Sequence, residues 1–325
     1  MRLALLAIAG LLAASCSSPE PGVLVTEPVI QTRLVATPEG LPDKLGPITI
    51  HAVGDLLAHE SVAVDGRLDL TAVADLFSDD AITIGNLECP ASDAGSEPVS
   101  GRLTCDPELL GDLAAGGLDV LSLANDRSVD RGRQALVETI DAVEAAGLEA
   151  VGAGTRAAEA YDAAIVESDG WRIAVIGTTA VGSNFASAER AGTAPIERTD
   201  PIVNAIARVR DDVDLVLVTV HWGRPLDRDP EPRDRGYADT LIGAGADVVF
   251  GHGPHRLQSF ALVEQKPVFW SLGHFLWPQA EPADADSAIG RVEIAADGTT
   301  VVCLVPATLN ASGTPSIDRL DPSCT

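Results

Sequence analysis

Residues 118–132 read Leu-Asp-Val-Leu-Ser-Leu-Ala-Asn-Asp-Arg-Ser-Val-Asp-Arg-Gly, and residues 148–154 read Leu-Glu-Ala-Val-Gly-Ala-Gly. The apolar run 120–123 has the length and content of a buried parallel strand. Asn125, Asp126, Arg127 and Asp130 place carboxamide, carboxylate and guanidinium groups just after it. Leu136, Ile140, Val143 and Ala146 recur at helical spacing, with Glu138, Asp141 and Glu144 opposite, so residues 131–146 are predicted to form a helix. Gly147 ends it, and a second strand follows. Strand, polar turn, helix and strand make an α/β unit, and chemistry in such sheets lies beyond the carboxyl ends of the strands.

Outward from this unit, polar clusters repeat at predicted strand ends. Residues 48–53 run into Gly54-Asp55. Residues 81–85 precede Asn86-Leu87-Glu88. The apolar run 213–220 ends in His221-Trp222-Gly223, residues 246–250 in Gly251-His252-Gly253-Pro254-His255, and residues 268–271 in Leu272-Gly273-His274. Four of the six histidines fall between His221 and His274. A lone histidine there is usually a satisfied loop or core residue. A mixed set of carboxylates and imidazoles at several strand ends suits a divalent cation such as Mn, Fe or Zn, and a pair of such ions suits hydrolysis. Helices are also predicted over 70–77, over 106–115 with Asp106 as N-cap, over 200–209, and from Pro232 to near Gly245. Residues 181–199 read as a long surface loop, and residues 289–294 and 300–305 as a closing hairpin.

The formal net charge is −26, which argues against nucleic acid as a partner, since phosphate binding needs Lys and Arg clusters. Arg2, the apolar run 3–14 and Ala14-Ser15-Cys16 form a targeting segment too short to span a bilayer. Residues 1–16 are therefore expected to be a lipoprotein signal peptide, with Cys16 lipidated; ordinary secretory cleavage nearby is the alternative. Either way the mature chain is expected outside the cytoplasm, and with a lipid it is anchored to the bacterial cell membrane. Residues 17–47 are Pro-rich and read as a disordered or extended tether. Cys89, Cys105, Cys303 and Cys324 are an even set in an oxidising compartment. Proximity favours Cys89 with Cys105 and Cys303 with Cys324.

The order and wording of these clusters resemble the CapA family of capsule and poly-γ-glutamate synthesis proteins. Carrying the resemblance are Gly54-Asp55, Gly85-Asn86-Leu87-Glu88, Ser122-Leu123-Ala124-Asn125 with Asp130-x-Gly132, Gly152-Ala153-Gly154, His221-Trp222-Gly223, Gly245-Ala246-Asp247, Gly251-His252-x-Pro254-His255 and Ser271-Leu272-Gly273. It implies a metallophosphatase-like, four-layer α/β/β/α sandwich over residues 48–325. It also implies Asp55, Glu88, Asp126, His221 and His255 as metal ligands. The departures lie at the site. Where the family reads Ala-Asn-Asn-His, this chain has Ala124-Asn125-Asp126-Arg127, so arginine replaces the expected proton donor. Gly253 replaces a histidine, Pro225 a glutamate and His274 an asparagine. Arg127, His252 and His274 are then the candidates for catalytic or compensating roles. Three functions follow: a metal-dependent hydrolase of a phosphoester or envelope polymer, a non-catalytic scaffold that binds polymer or capsule-assembly proteins, and, less well matched, a two-lobed solute-binding lipoprotein.

Overall fold

The computed structural model describes residues 32–35, 46–77, 81–93, 103–278, 286–297 and 299–317. The signal segment, Cys16, Cys324 and most of the Pro-rich stretch lie outside them. Two sheets carry the fold. In the larger, Ile48–Leu56, Ala81–Leu87, Val120–Ser122 and Glu149–Val151 run parallel in that order. The expected closing hairpin, Asp286–Ile294 with Thr300–Leu309, adds antiparallel to Ile48–Leu56. Thr32–Val35, inside the stretch read as a tether, pairs with Thr300–Leu309 at the edge. In the second sheet Trp171–Thr179, Leu215–His221, Val248–His252 and Lys266–Phe269 are parallel, with antiparallel Ala164–Ser168 and Phe260–Val263 at its edges.

Side-chain alternation explains how the sheets face each other. Ile48, Ile50, Ile82, Ile84 and Val120 from the first sheet meet Ile173, Val175, Leu215, Leu217, Val248 and Phe250 from the second in one apolar layer. On the far side of the first sheet, Leu110, Leu113 and Val143, from the helices Leu110–Ala115 and Arg133–Ala145, pack on Val53, Leu121 and Leu123. On the far side of the second, Ile202, Ile206, Leu241 and Ile242, from the helices Thr199–Val209 and Pro232–Gly243, pack on Ile176, Val216, Val218 and Val249. Three apolar layers separate four structural layers, the α/β/β/α order the resemblance implied. Among the described residues no helix is long and apolar enough to cross a membrane.

Several local expectations need correction. Residues 70–77 form turns, with hydrogen bonds from Val73 N to Leu70 O and from Leu76 N to Val73 O. Leu70, Val73 and Phe77 are buried, so their helix-like spacing reflects successive turns pinned to the core. Asp106 does not cap the helix after it; its carboxylate accepts from Glu60 N at 2.8 Å. The helix expected over 131–146 spans Arg133–Ala145, with Gly132 as N-cap at φ 96° and no side-chain cap; Asp130 just before it accepts from Leu103 N at 3.0 Å. Residues 181–199 are not simply a surface loop. Gly192–Thr193 pairs with Ala153–Gly154, and Ala194 and Ile196 are buried.

Cys89 and Cys105 form a disulfide, as proximity suggested. Cys303 is also disulfide-bonded; Cys324, its expected partner, lies outside the described residues.

Candidate metal centre

The alternation that fills the apolar layer also aims the polar groups. Along Leu215–His221, Leu215 and Leu217 point between the sheets, so His221 does too. Along Val248–His252, Val248 and Phe250 do the same for His252. Ile82 and Ile84 set the phase for Asn86 and then Glu88. The apolar layer thus turns polar at the carboxyl ends of the strands, where Asn86 is in register with Asp55 and Ser122, and His221 with His252.

Asp55 needs a further device. Regular alternation from Ile48 and Ile50 would point it at the outer helices, beside His51 and Val53. The pairing shifts register between Ala52 and Asp55, so Leu56 joins the helix-side layer and Asp55 faces inward. The bulge is packed backbone to backbone: a Cβ on Gly54 would lie 2.1 Å from Gly273 O. Asp55 N donates to that carbonyl at 2.9 Å, and His274 lies in register with Asp55.

Seven side chains converge. Asp55 Oδ2 accepts from His255 Nδ1 at 3.1 Å, and Oδ1 accepts from Asn86 Nδ2 at 2.8 Å. Glu88 has Oε2 3.6 Å from His255 Nδ1 and Oε1 3.9 Å from His221 Nε2. Asp126 Oδ1 is 3.4 Å from His221 Nε2. The rings of His221 and His255 are 6.4 Å apart, and His274 is 5.0 Å from His255. Two groups of potential ligand atoms result, Asp55 with His255 and His274, and Glu88 with Asp126 and His221, the atoms of each within 4.8 Å of one another. His255 adopts a left-handed backbone, φ 56°, an uncommon state for a non-glycine residue that clusters at functional sites.

Arg127 sits at the rim, its side chain 36 % exposed, with Nε 3.8 Å from Asp126 Oδ2 and Nη1 3.7 Å from Asp130 Oδ2. His252 is 1 % exposed and lies behind Asp55, its Nδ1 3.6 Å from Oδ1, away from the mouth where a substrate proton would be exchanged. Of the three residues expected in catalytic or compensating roles, then, Arg127 faces the opening, His274 joins a ligand group, and His252 backs Asp55. Gly253 is more than a missing imidazole. It has φ 108°, and a Cβ there would meet Trp222 O at 2.3 Å and the His221 ring at 3.0 Å, so this backbone accepts no side chain at that position.

The charges are unbalanced in a telling way. Burial alone would raise the Asp55 carboxyl, but hydrogen bonds and charge from His252 and His255 hold it well below the usual carboxylate range. Burial, together with the charges of Asp55 and Asp126, pushes Glu88 well above that range. Burial is the largest influence against the charged forms of Asp126 and His255; the bond to and charge of His221 together with the charge of Arg127 outweigh it for Asp126, and the bond to and charge of Asp55 together with the charge of Asp126 outweigh it for His255. Neither oxygen of Glu88 has a hydrogen-bond partner among the described residues. A fully buried carboxylate without a donor, beside two more carboxylates, is costly unless a proton or a metal cation joins it. The donor set therefore fits a divalent metal ion.

Sequence reasoning left three supports out of the site. Asn86 bridges the two groups, with Nδ2 3.3 Å from His221 Nδ1. Asn125 donates to Asn86 Oδ1 at 3.1 Å and to Leu87 O at 2.8 Å. Trp277 stacks on His274, 4.3 Å between ring centres and 2° between planes. The asparagines were visible as motif positions next to site residues; nothing in the sequence marked Trp277.

The sequence model of the family described as bacterial capsule synthesis protein PGA_cap matches residues 49–279, more than half of the chain. The chain belongs to this family. Capsule biosynthesis protein CapA of Bacillus anthracis is 33 % identical over 211 residues, 63 % of this chain and 51 % of that protein. PGA biosynthesis protein CapA of Bacillus subtilis is 32 % identical over 184 residues, covering 55 % and 48 %. The chain thus spans about half the length of the curated relatives it matches. Among solved structures, a phosphatase of Mycoplasma pneumoniae aligns with TM-score 0.50 at 11 % identity, over 81 % of this chain and 95 % of that one. A proposed 5′-nucleotidase of Staphylococcus aureus aligns with TM-score 0.51 at 14 % identity, over 86 % and 57 %. These likenesses establish a metallophosphatase-like fold.

Proposed function

We propose that this chain is an extracytoplasmic, lipid-anchored component of capsule or poly-γ-glutamate synthesis, and that its strand-end cleft binds divalent cations to hold an anionic group of the polymer or its precursor. Membership of the capsule synthesis family and the names of the Bacillus relatives support the process. The observation that carries the cleft's part is Glu88: a buried carboxylate with no hydrogen-bond donor, belonging to one ligand group and 3.6 Å from His255 of the other. Asp55, His255 and His274 hold one cation and Glu88, Asp126 and His221 the other, with Mn, Fe and Zn suited to such mixed oxygen and nitrogen donors. When bound, such ions supply Lewis acidity toward a phosphoryl or carboxylate oxygen.

The chain's own groups then divide the work. Asn86 orients Asp55, Asn125 fixes Asn86, and Trp277 fixes the plane of His274. Arg127 offers a permanent positive charge at the rim and cannot give up a proton at neutral pH. That favours holding an anion over protonating a leaving group. The second reading is a metal-dependent phosphoesterase, which the phosphatase-like fold supports. Elemental analysis of the purified protein, with phosphoester turnover in added Mn²⁺, separates the two. Bound metal without turnover fits the holding role, and turnover that rises in Arg127→His fits a hydrolase weakened by that arginine. Folded protein that takes up no divalent metal would defeat both.

A further inference from the structure

The two ligand groups differ in ways that go beyond their residue types. Asp55, His255 and His274 offer two imidazoles and one carboxylate, and Asp55 and His274 are buried. Glu88, Asp126 and His221 offer one imidazole and two carboxylates, and the Asp126 side chain is 39 % exposed. The second group has a fixed cation, Arg127, directly beside one of its carboxylates. Asp126 is divided between His221 on Oδ1 at 3.4 Å and Arg127 on Oδ2 at 3.8 Å. Asp130 provides Arg127 with another carboxylate 3.7 Å away. Gly182 lies alongside, where an added Cβ would come within 3.3 Å of the Cα and Cβ of Asp126.

We propose that Arg127 is an internal competitor for the second cation: it lies against Asp126, weakens divalent-ion binding at the Glu88–Asp126–His221 group, and leaves the Asp55–His255–His274 group tight. This rests on the cation-binding reading of the cleft. The physical basis is direct. A guanidinium keeps its charge at any working pH, repels an incoming divalent ion, and already neutralises part of the charge of the Asp126 carboxylate from 3.8 Å. Nearby charges act strongly in a half-buried setting and are screened where solvent enters, so the effect is largest at the rim group. Asp130 opposes it by drawing Arg127 away from Asp126. Removing the charge of Arg127 and removing that of Asp130 should therefore act in opposite directions on the same binding step.

The test is Zn²⁺ titration of the full metal-free chain by calorimetry, with stoichiometry checked by elemental analysis after dialysis. The wild type should bind in two unequal steps. Arg127→Gln should tighten the weaker step by about tenfold, the scale for removing one nearby charge, and leave the tighter step within about twofold. Asp130→Asn should weaken the same step, since the remaining amide still accepts from Leu103 N while the pull on Arg127 falls. Asp126→Asn should weaken only that step, and His274→Ala should weaken only the other. Two equal steps in the wild type would overturn the proposal, as would an Arg127→Gln protein whose weak step is unchanged or whose steps shift together. No Zn²⁺ uptake by any folded variant would instead remove the cation-binding reading itself, and the competitor role with it. Circular dichroism of each variant reports folding independently.

Discussion

Acidification from pH 7 to pH 5 should cost this protein about 2 kcal/mol through His51 alone. His51 lies on the helix side of Ile48–Leu56, 1 % exposed, against the ring of Phe77 at 5.6 Å. Neither ring nitrogen has a hydrogen-bond partner among the described residues. Burial, and then the charge of Arg291 on the neighbouring strand, lower its pKa from 6.5 to about 3. The folded value is depressed, so the folded state resists a proton that the unfolded state accepts. Stability is therefore intact above pH 6.5 and is lost progressively as the pH falls from 6.5 toward 3. With an unfolded pKa near 6.5, linkage gives a loss of about 0.2 kcal/mol at pH 7 and about 2 kcal/mol at pH 5. The figure at pH 5 scarcely changes if the folded pKa is 3 or 4, because the folded state is neutral there in either case. Urea denaturation at both pH values, on wild type and His51→Leu, isolates the effect. The carboxylates and histidines of the cleft titrate in both proteins and cancel in the difference. His51→Leu should lose about 2 kcal/mol less than wild type between the two pH values. Parallel losses in the two proteins would refute the reasoning.

Three further outcomes follow from the packing. Gly253→Ala should destabilise by about 3 kcal/mol, from left-handed backbone strain and overlap with Trp222 O, and should weaken Zn²⁺ binding through His221; thermal melts and a Zn²⁺ isotherm measure both. The Cys89–Cys105 bridge, with a sequence separation of 16, should contribute about 3 kcal/mol by chain-entropy arithmetic, read as the stability difference between wild type and Cys89→Ala/Cys105→Ala under non-reducing conditions. Asp247 accepts from Val216 N at 2.8 Å and pairs with Arg210 at 2.5 Å and Lys266 at 3.3 Å. Asp247→Ala should cost about 3 kcal/mol and Asp247→Asn clearly less, since Asn still accepts from Val216 N; equal urea midpoints for the two variants would contradict this.

The parallel strands and their polar ends were legible because period-two alternation writes the apolar layer and the site into the same residues. Leu215 and Leu217 predict the direction of His221 as directly as they predict the core. Asp247 shows the opposite limit. It is a motif residue, but it sits just before Val248, at the amino end of its strand, and holds charge partners away from the site. The inward turn of Asp55 could not be read, since it depends on a bulge and on the approach of Gly273 from more than two hundred residues away. Nor could residues 70–77, where the spacing of buried side chains is the same for a helix and for consecutive turns. Arg127 was legible as a change of chemistry, but its division between Asp126 and Asp130 is a property of the folded turn.

Each ligand group takes one imidazole from the second sheet and its remaining members from chain associated with the first: His255 joins Asp55 and His274, and His221 joins Glu88 and Asp126. No single sheet assembles either group. A bound ion would therefore act as a removable cross-link, closing a loop of 200 residues between Asp55 and His255. Such a link would let the supply of metal ions set how firmly the two halves of the sandwich stay together.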